Sequence, residues 1–192
     1  MRVLALDNRD SFTFTLVDYL RQAGADVHVH RSDSICVAEA LQIGRDGIMV
    51  SPGPGRPEDA GISVSLAREA VAVGRPFLGI CLGHQALALA CGSIVERVDP
   101  VHGKTASVSH EGSGLFADLP SPFDATRYHS LAVTEVRAPL RPSAWNADGL
   151  CMALHHEDAP AWGIQFHPES IASRHGHALL RAFVARCVSR GA

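Results

Sequence analysis

No apolar run in the chain approaches the roughly 20 residues needed to cross a bilayer. No Cys-x-x-Cys pair occurs among the five cysteines, Cys36, Cys81, Cys91, Cys151 and Cys187. An odd, unpaired set excludes a disulfide framework and speaks against a zinc site. There is no excess of positive charge; the formal net charge is −3. That removes the electrostatic footprint of a nucleic-acid or anionic-membrane surface. Eleven histidines are present, yet His155-His156 and His175-x-His177 match no common ligand spacing. Internal repeats, low-complexity tracts and linkers are also missing. Asp7 arrives too early for a secretory signal, so the expected location is the cytoplasm.

What is present is a 192-residue chain with nearly half its residues apolar, enough for one domain with a sizeable core. "RVLALD" reads as a buried strand, followed by a helix capped by Asp10 or Ser11 and running to Ala23. "DVHVHR" and "GIMVS" read as the second and third strands. Gly61 to Val73 is helical by period. Pro76 to Ile80 is a fourth strand, and Leu82 to Cys91 a helix closed by Gly92. Strands and helices alternating at this pitch imply an α/β fold: an open, mostly parallel sheet with helices on both faces. After Gly92 short alternating segments predict an antiparallel extension. "LCMALHHE" and "AWGIQFH" pair across the turn from Glu157 to Pro160, and a last helix covers Ser173 to Val188. The expected organisation is a single domain over residues 1–192.

The stretch "GICLGHQ" places Cys81 between two glycines where a strand meets a helix. Gly-x-Cys-x-Gly has the form of a nucleophile elbow, in which a crowded turn demands small neighbours and lifts the side chain clear of the sheet. A helix N-terminus favours a thiolate, and the Leu82 N–H is then free to face an oxyanion. Taken alone, Cys81 also fits a buried small hydrophobe at a glycine-rich turn. A nucleophile needs a base. "GIQFHPES" offers His167 at the end of the strand Trp162 to Phe166, on the same sheet edge as Cys81. Glu169 lies two residues on, where an extended segment returns to the same side, so it can orient His167. Alone, His-Pro-Glu fits a surface turn. The loop "SPGPG" (Ser51 to Gly55) ends a third strand on that edge and has backbone N–H groups for an oxyanion; by itself it is also an ordinary tight connection.

Together "DNRDSFTFTLVDYL", "SPGPGRPEDAGIS", "LGICLGHQALALA", "HGKTASVSH", "LFADLPSPFDATRYHSL", "DGLCMALHH" and "GIQFHPESI" resemble the class I, or triad, glutamine amidotransferases. The resemblance is closest to the small subunits of chorismate-using synthases, anthranilate synthase component II and its para-aminobenzoate (aminodeoxychorismate) counterpart. It implies a flavodoxin-like domain. It implies that Cys81 forms a glutamyl thioester, with His167 and Glu169 completing a triad. It assigns the oxyanion donors to Gly53 and Leu82, and glutamine binding to Gly53, Pro54, Gly55, Gln85, Ser130 and Leu131. It implies hydrolysis of L-glutamine and delivery of ammonia to a large chorismate-binding subunit, in a heterodimer or heterotetramer. No cofactor is implied for this chain, any Mg²⁺ being expected in the partner.

Gln85 is one turn past Cys81, so its amide can face the pocket; without the resemblance it reads as a solvated helix residue. Arg9, Cys91, Ser93 and Val101 depart from the family pattern, and Arg9, Val101 and the stretch from His102 to Thr105 are candidates for partner pairing. His84 suits packing beside the elbow better than catalysis, and Lys104 reads as a partner contact or a solvated charge. Other ammonia acceptors, an idle scaffold and a cysteine peptidase are the competing readings. "DNRDSFTFTLVDYL" and "RYHSL" oppose the first, an intact triad the second, and the lack of a peptide-groove signature the third. "SRHGHALLRAF" leans toward the para-aminobenzoate subunits.

Overall fold

The computed structural model describes residues 1–100 and 103–188. The first half forms β1 (Arg2–Asp7), α1 (Thr13–Gln22), β2 (Asp26–Arg31), α2 (Val37–Ile43), β3 (Gly47–Val50), α3 (Ser63–Ala72), β4 (Phe77–Ile80) and α4 (Leu82–Ala90). The second half forms β5 (Ile94–Arg97), β6 (Lys104–His110), β7 (Phe123–Arg127), β8 (Leu131–Glu135), β9 (Leu140–Asn146), β10 (Cys151–His156), β11 (Ala161–Ile164) and α5 (Gly176–Val188). Nine strands make one sheet in the order β2-β1-β3-β4-β11-β10-β9-β6-β7, and β5 pairs with β8 apart from it. The first five strands are parallel to one another. From β11 to β7 every pairing is antiparallel. This is the parallel sheet with antiparallel extension that the sequence pattern implies, including the β10–β11 hairpin.

Every residue of β3 and β4 is buried, as a strand covered on both faces requires. The alternation of side chains along each strand divides the interior in two. On one face Val3, Ala5, Met49, Leu78 and Ile80 pack with Leu16 and Leu20 of α1 and Phe183 of α5. On the other, Leu4, Leu6, Ile48, Val50 and Phe77 pack with Leu66 and Ala70 of α3 and Leu87 of α4.

Three local readings need correction. α2 is absent from the sequence reading, although parallel strands need a crossover. It is only seven residues long, but Val37, Ala40 and Leu41 recur at i, i+3 and i+4 and pack on the second core, and its start is marked by a capping box of Cys36 and Glu39. α1 begins at Thr13 with no side-chain cap on its own N–H groups; Asp10 Oδ1 instead accepts from the Phe12 N–H at 2.9 Å, one residue ahead of the helix. Asp7 holds that turn together with Asp10, accepting from the Thr13 hydroxyl at 2.8 Å and the Arg9 N–H at 3.0 Å. α5 begins at Gly176, three residues later than expected, and Ser173 Oγ accepts from the Thr126 N–H at 3.0 Å. Val101 and His102 lie outside the described residues.

Candidate active site

β4 and β11 are parallel neighbours with Ile80 opposite Ile164, so the residues that follow them emerge at one carboxyl edge. Cys81 follows β4 and carries φ 51° and ψ −99°. Such a backbone in a non-glycine residue costs about 1–3 kcal/mol and persists only where its surroundings enforce it. Here the Cys81 N–H donates to the Ile164 carbonyl at 2.8 Å, and the Cys81 carbonyl accepts from the Gln85 N–H at 3.1 Å. The flanking glycines have a steric cause. A Cβ on Gly79 would come under 3.0 Å from the Gly83 carbonyl, and one on Gly83 under 3.0 Å from the Val50 carbonyl. Leu82 opens α4, so its N–H has no intrahelical acceptor.

β11 stops at Ile164, two residues short of the expected end, but the chain continues along the sheet through His167 N–H to the Thr126 carbonyl at 2.9 Å. His167 and Glu169 are both buried. His167 Nδ1 lies 2.6 Å from Glu169 Oε1; the expected pair forms, but Pro168 and Glu169 make a turn and not the extended segment expected. Burial opposes a charge on His167, but Cys81 and Glu169 outweigh it and raise the pKa to about 10. Among the described residues Nε2 has no hydrogen-bond partner of good geometry.

Gly53, Pro54, Gly55, Leu82, Gln85, Ser130 and Leu131 all line one cavity of about 180 Å³ with Cys81 in its wall; Tyr128 and His129 complete it. His167 borders a second cavity of about 390 Å³, which also reaches Cys81, Gly53, Pro54 and Tyr128. Glu169 borders neither, opening instead on a third with Phe12, Tyr128 and Ile171. Arg9, one of the departures from the family pattern, lines the second cavity, so it stands closer to Cys81 than its place in the sequence suggests. It carries φ 64° and its guanidinium pairs with Asp33. Cys91 and Ser93 sit beyond the far end of α4, where Ser93 Oγ accepts from the Arg137 N–H at 3.0 Å. Lys104 starts β6 and is exposed.

Several contributors escape the sequence reading. Asn8 holds the "SPGPG" loop: its N–H donates to Ser51 Oγ at 2.9 Å, its amide to the Ser51 carbonyl at 3.2 Å, and its oxygen accepts from Ser63 at 2.9 Å. A Cβ on Gly53 would strike Asn8, so the loop backbone lies directly against it. The expected role of Gln85 also changes. Its Nε2 is committed to the Leu131 carbonyl at 2.9 Å and to Gln165 Oε1 at 3.2 Å, leaving its oxygen as the free end. His129 accepts from Arg127 Nε at 3.0 Å; burial, then the Arg127 charge, lowers its pKa to about 4. His84 is fully buried against Gly163, and burial lowers its pKa to about 3, which agrees with packing rather than proton transfer. Among the described residues no group of three or more His, Cys, Asp or Glu side chains is placed to hold a metal ion, and no helix is long and apolar enough to cross a membrane.

The model of the class I glutamine amidotransferase family matches residues 4–187. Anthranilate synthase component 2 of Azospirillum brasilense is 48% identical over 185 residues, covering 95% of this chain and 94% of that protein. Aminodeoxychorismate/anthranilate synthase component 2 of Bacillus subtilis is 42% identical over 185 residues, covering 95% of each. Aminodeoxychorismate synthase of Streptomyces griseus is 49% identical over 189 residues, but those are 26% of that longer protein. Among solved structures, a putative GMP synthase subunit from Thermoplasma acidophilum superposes with a TM-score of 0.88 at 26% identity, covering 98% of this chain and 94% of that one. With a sheet of this order, a strained cysteine at its carboxyl edge and a family match across nearly the whole length, the chain belongs to the class I glutamine amidotransferases.

Proposed function

We propose that the chain hydrolyses L-glutamine with Cys81 as nucleophile, His167 as acid and base and Glu169 as its orienting partner, and delivers ammonia to a large chorismate-binding subunit. The observation that carries this reading is the convergence at one sheet edge. Cys81 on its elbow, the buried His167–Glu169 pair and the cavity lined by Gly53, Gln85 and Leu131 come from separate segments and meet there.

The chemistry follows from the groups. With His167 protonated beside it, Cys81 attacks as a thiolate on the carboxamide carbon. The carbonyl electrons move to oxygen, which the Leu82 and Gly53 N–H groups stabilise. His167 gives its proton to the departing nitrogen, and ammonia leaves a glutamyl thioester. Water attacks the thioester, His167 takes its proton, and glutamate departs with the thiolate restored. The fixed orientation of Gln85 suits the substrate. Its free oxygen is an acceptor, which can pair with a carboxamide N–H but repels the carboxylate of glutamate. Pro54, Gly55, Ser130 and Leu131 shape the remainder of the cavity. Acid–base and nucleophilic steps call for no cofactor in this chain; any Mg²⁺ belongs to the partner. The reaction takes place in the cytoplasm.

The anthranilate and aminodeoxychorismate names of the relatives support a chorismate-using partner. The test combines the chain with each candidate large subunit, chorismate and either glutamine or ammonium, and identifies the aminated product. In the productive complex Cys81→Ser is expected to abolish synthesis from glutamine and preserve synthesis from ammonium. Equal synthesis from glutamine by Cys81→Ser and the unmodified chain overturns the nucleophile assignment.

A further inference from the structure

Gln165 lies between the end of β11 and His167 and is completely buried. It borders none of the three cavities that surround the Cys81 and Glu169 side chains. Its amide nevertheless touches the sulfur: Nε2 donates to Cys81 Sγ at 3.6 Å. Its Oε1 accepts from Gln85 Nε2 at 3.2 Å, and Gln85 spends its other amide hydrogen on the Leu131 carbonyl at 2.9 Å.

The polarity of this run is determined at its far end. A backbone carbonyl only accepts, so Leu131 obliges Gln85 to present its NH₂ group. That group faces Gln165 as well, and so obliges Gln165 to present its oxygen there. Reversing the Gln165 amide would set NH₂ against NH₂ between two buried side chains. Only one orientation sets each donor of this run against an acceptor, and it ends with an N–H aimed at sulfur. A thiolate is a much stronger acceptor than a thiol, so a fixed donor at that place favours the ionised nucleophile.

We propose that Gln165 is the hydrogen-bond donor that stabilises the Cys81 thiolate, oriented through Gln85 by the Leu131 carbonyl. This rests on the reading of Cys81 as the nucleophile. Gln85 and Leu131 line the small cavity, so the wall of that cavity and the sulfur share one buried hydrogen-bonded chain. Gln165 moves no proton in the reaction. It holds charge on the atom that attacks.

The experiment measures the rate of Cys81 alkylation by iodoacetamide from acid to alkaline pH, with glutaminase kinetics alongside. Gln165→Met keeps the length and apolar volume and removes the donor. Its alkylation profile is expected to move upward by about one pH unit, with kcat about tenfold lower, the equivalent of losing one hydrogen bond to a charged group. Gln85→Met leaves Gln165 in place but frees its amide to turn, so its profile moves the same way by less. Thermal melting checks that each variant is folded, and Cys81→Ser identifies the labelled site. An unchanged profile in folded Gln165→Met, with only KM for glutamine raised, overturns the proposal and leaves Gln165 a prop for Gln85. An unmodified chain whose Cys81 is neither protected by glutamine nor needed for hydrolysis overturns the underlying reading instead. If Gln165→Met does not fold, Gln85→Met decides: an upward shift supports the proposal and an unchanged profile overturns it.

Discussion

Glu169→Gln is the sharpest perturbation of the proposed triad, because it keeps the shape and removes one charge. The buried carboxylate places Oε1 at 2.6 Å from His167 Nδ1, while Oε2 has no hydrogen-bond partner among the described residues. A glutamine there has two orientations, and both are unfavourable. With NH₂ toward the ring, Nδ1 must accept, so the proton moves to Nε2 and the neutral ring cannot take a proton from the thiol. With NH₂ in the Oε2 position, its hydrogens are buried without an acceptor, at about 1–3 kcal/mol. The lost charge adds to either cost, since a hydrogen bond to a charged group contributes about 1.5–3 kcal/mol. A fall in kcat of about 10²-fold follows, with KM for glutamine little changed, because Glu169 does not border the small cavity. The pH profile carries a second signature. Removing Glu169 takes away one of the two influences that hold the His167 pKa near 10, so the alkaline limb moves to lower pH. Steady-state glutaminase assays across pH read both effects. Activity within twofold of the unmodified chain and an unmoved alkaline limb would refute the reasoning. His167→Asn should be more severe, and the double variant little worse than it, since the pair acts as a unit.

Gly83→Ala forces a Cβ onto the Val50 carbonyl, so we expect a loss of about 1–3 kcal/mol in urea unfolding together with a weakened glutaminase; a stable, fully active variant would show that the elbow does not depend on this contact. Acid stability should fall below neutrality, because the pKa values of buried His84 and His129 are lowered to about 3 and about 4. Their contribution is present above the unfolded value of about 6.5 and is lost as pH falls, with a slope approaching about 1.4 kcal/mol per pH unit for each. His167 has the opposite sign: its contribution is full below about 6.5 and is lost as pH rises toward 10, so it does not mask the acid effect. A urea midpoint that stays flat between pH 7 and pH 5 contradicts this. Finally, the isolated chain is expected to hydrolyse glutamine slowly and to be accelerated by its large subunit. One mis-set oxyanion donor in the Gly53 loop costs about 10²- to 10³-fold, and a free chain as fast as the complex would exclude such gating.

The sequence by itself determined the parts whose signals are local. Three short apolar runs and the alternating "DVHVHR" are enough to name parallel strands, and glycines on both sides of Cys81 mark a turn too crowded for side chains. His167 and Glu169 are bonded as expected, but across a turn at Pro168 and Glu169 and not along an extended segment, so nearness in sequence brought them together where the i, i+2 alternation did not apply. Tertiary structure decided what depends on atoms distant in the chain. α2 carries only two turns of apolar period, Val37, Ala40 and Leu41, too short to stand out alone, so the crossover that parallel β1, β2 and β3 require is the stronger signal for it. Asp10 has the right chemistry for a cap but spends it on the Phe12 N–H one residue before the helix, while the Asp7 carboxylate holds Thr13 and Arg9. The direction of the Gln85 amide was settled by a carbonyl 46 residues away and by Gln165, 80 residues away. No spacing rule reaches that far, because such contacts exist only once the sheet has brought β4, β11 and the Leu131 segment to one edge.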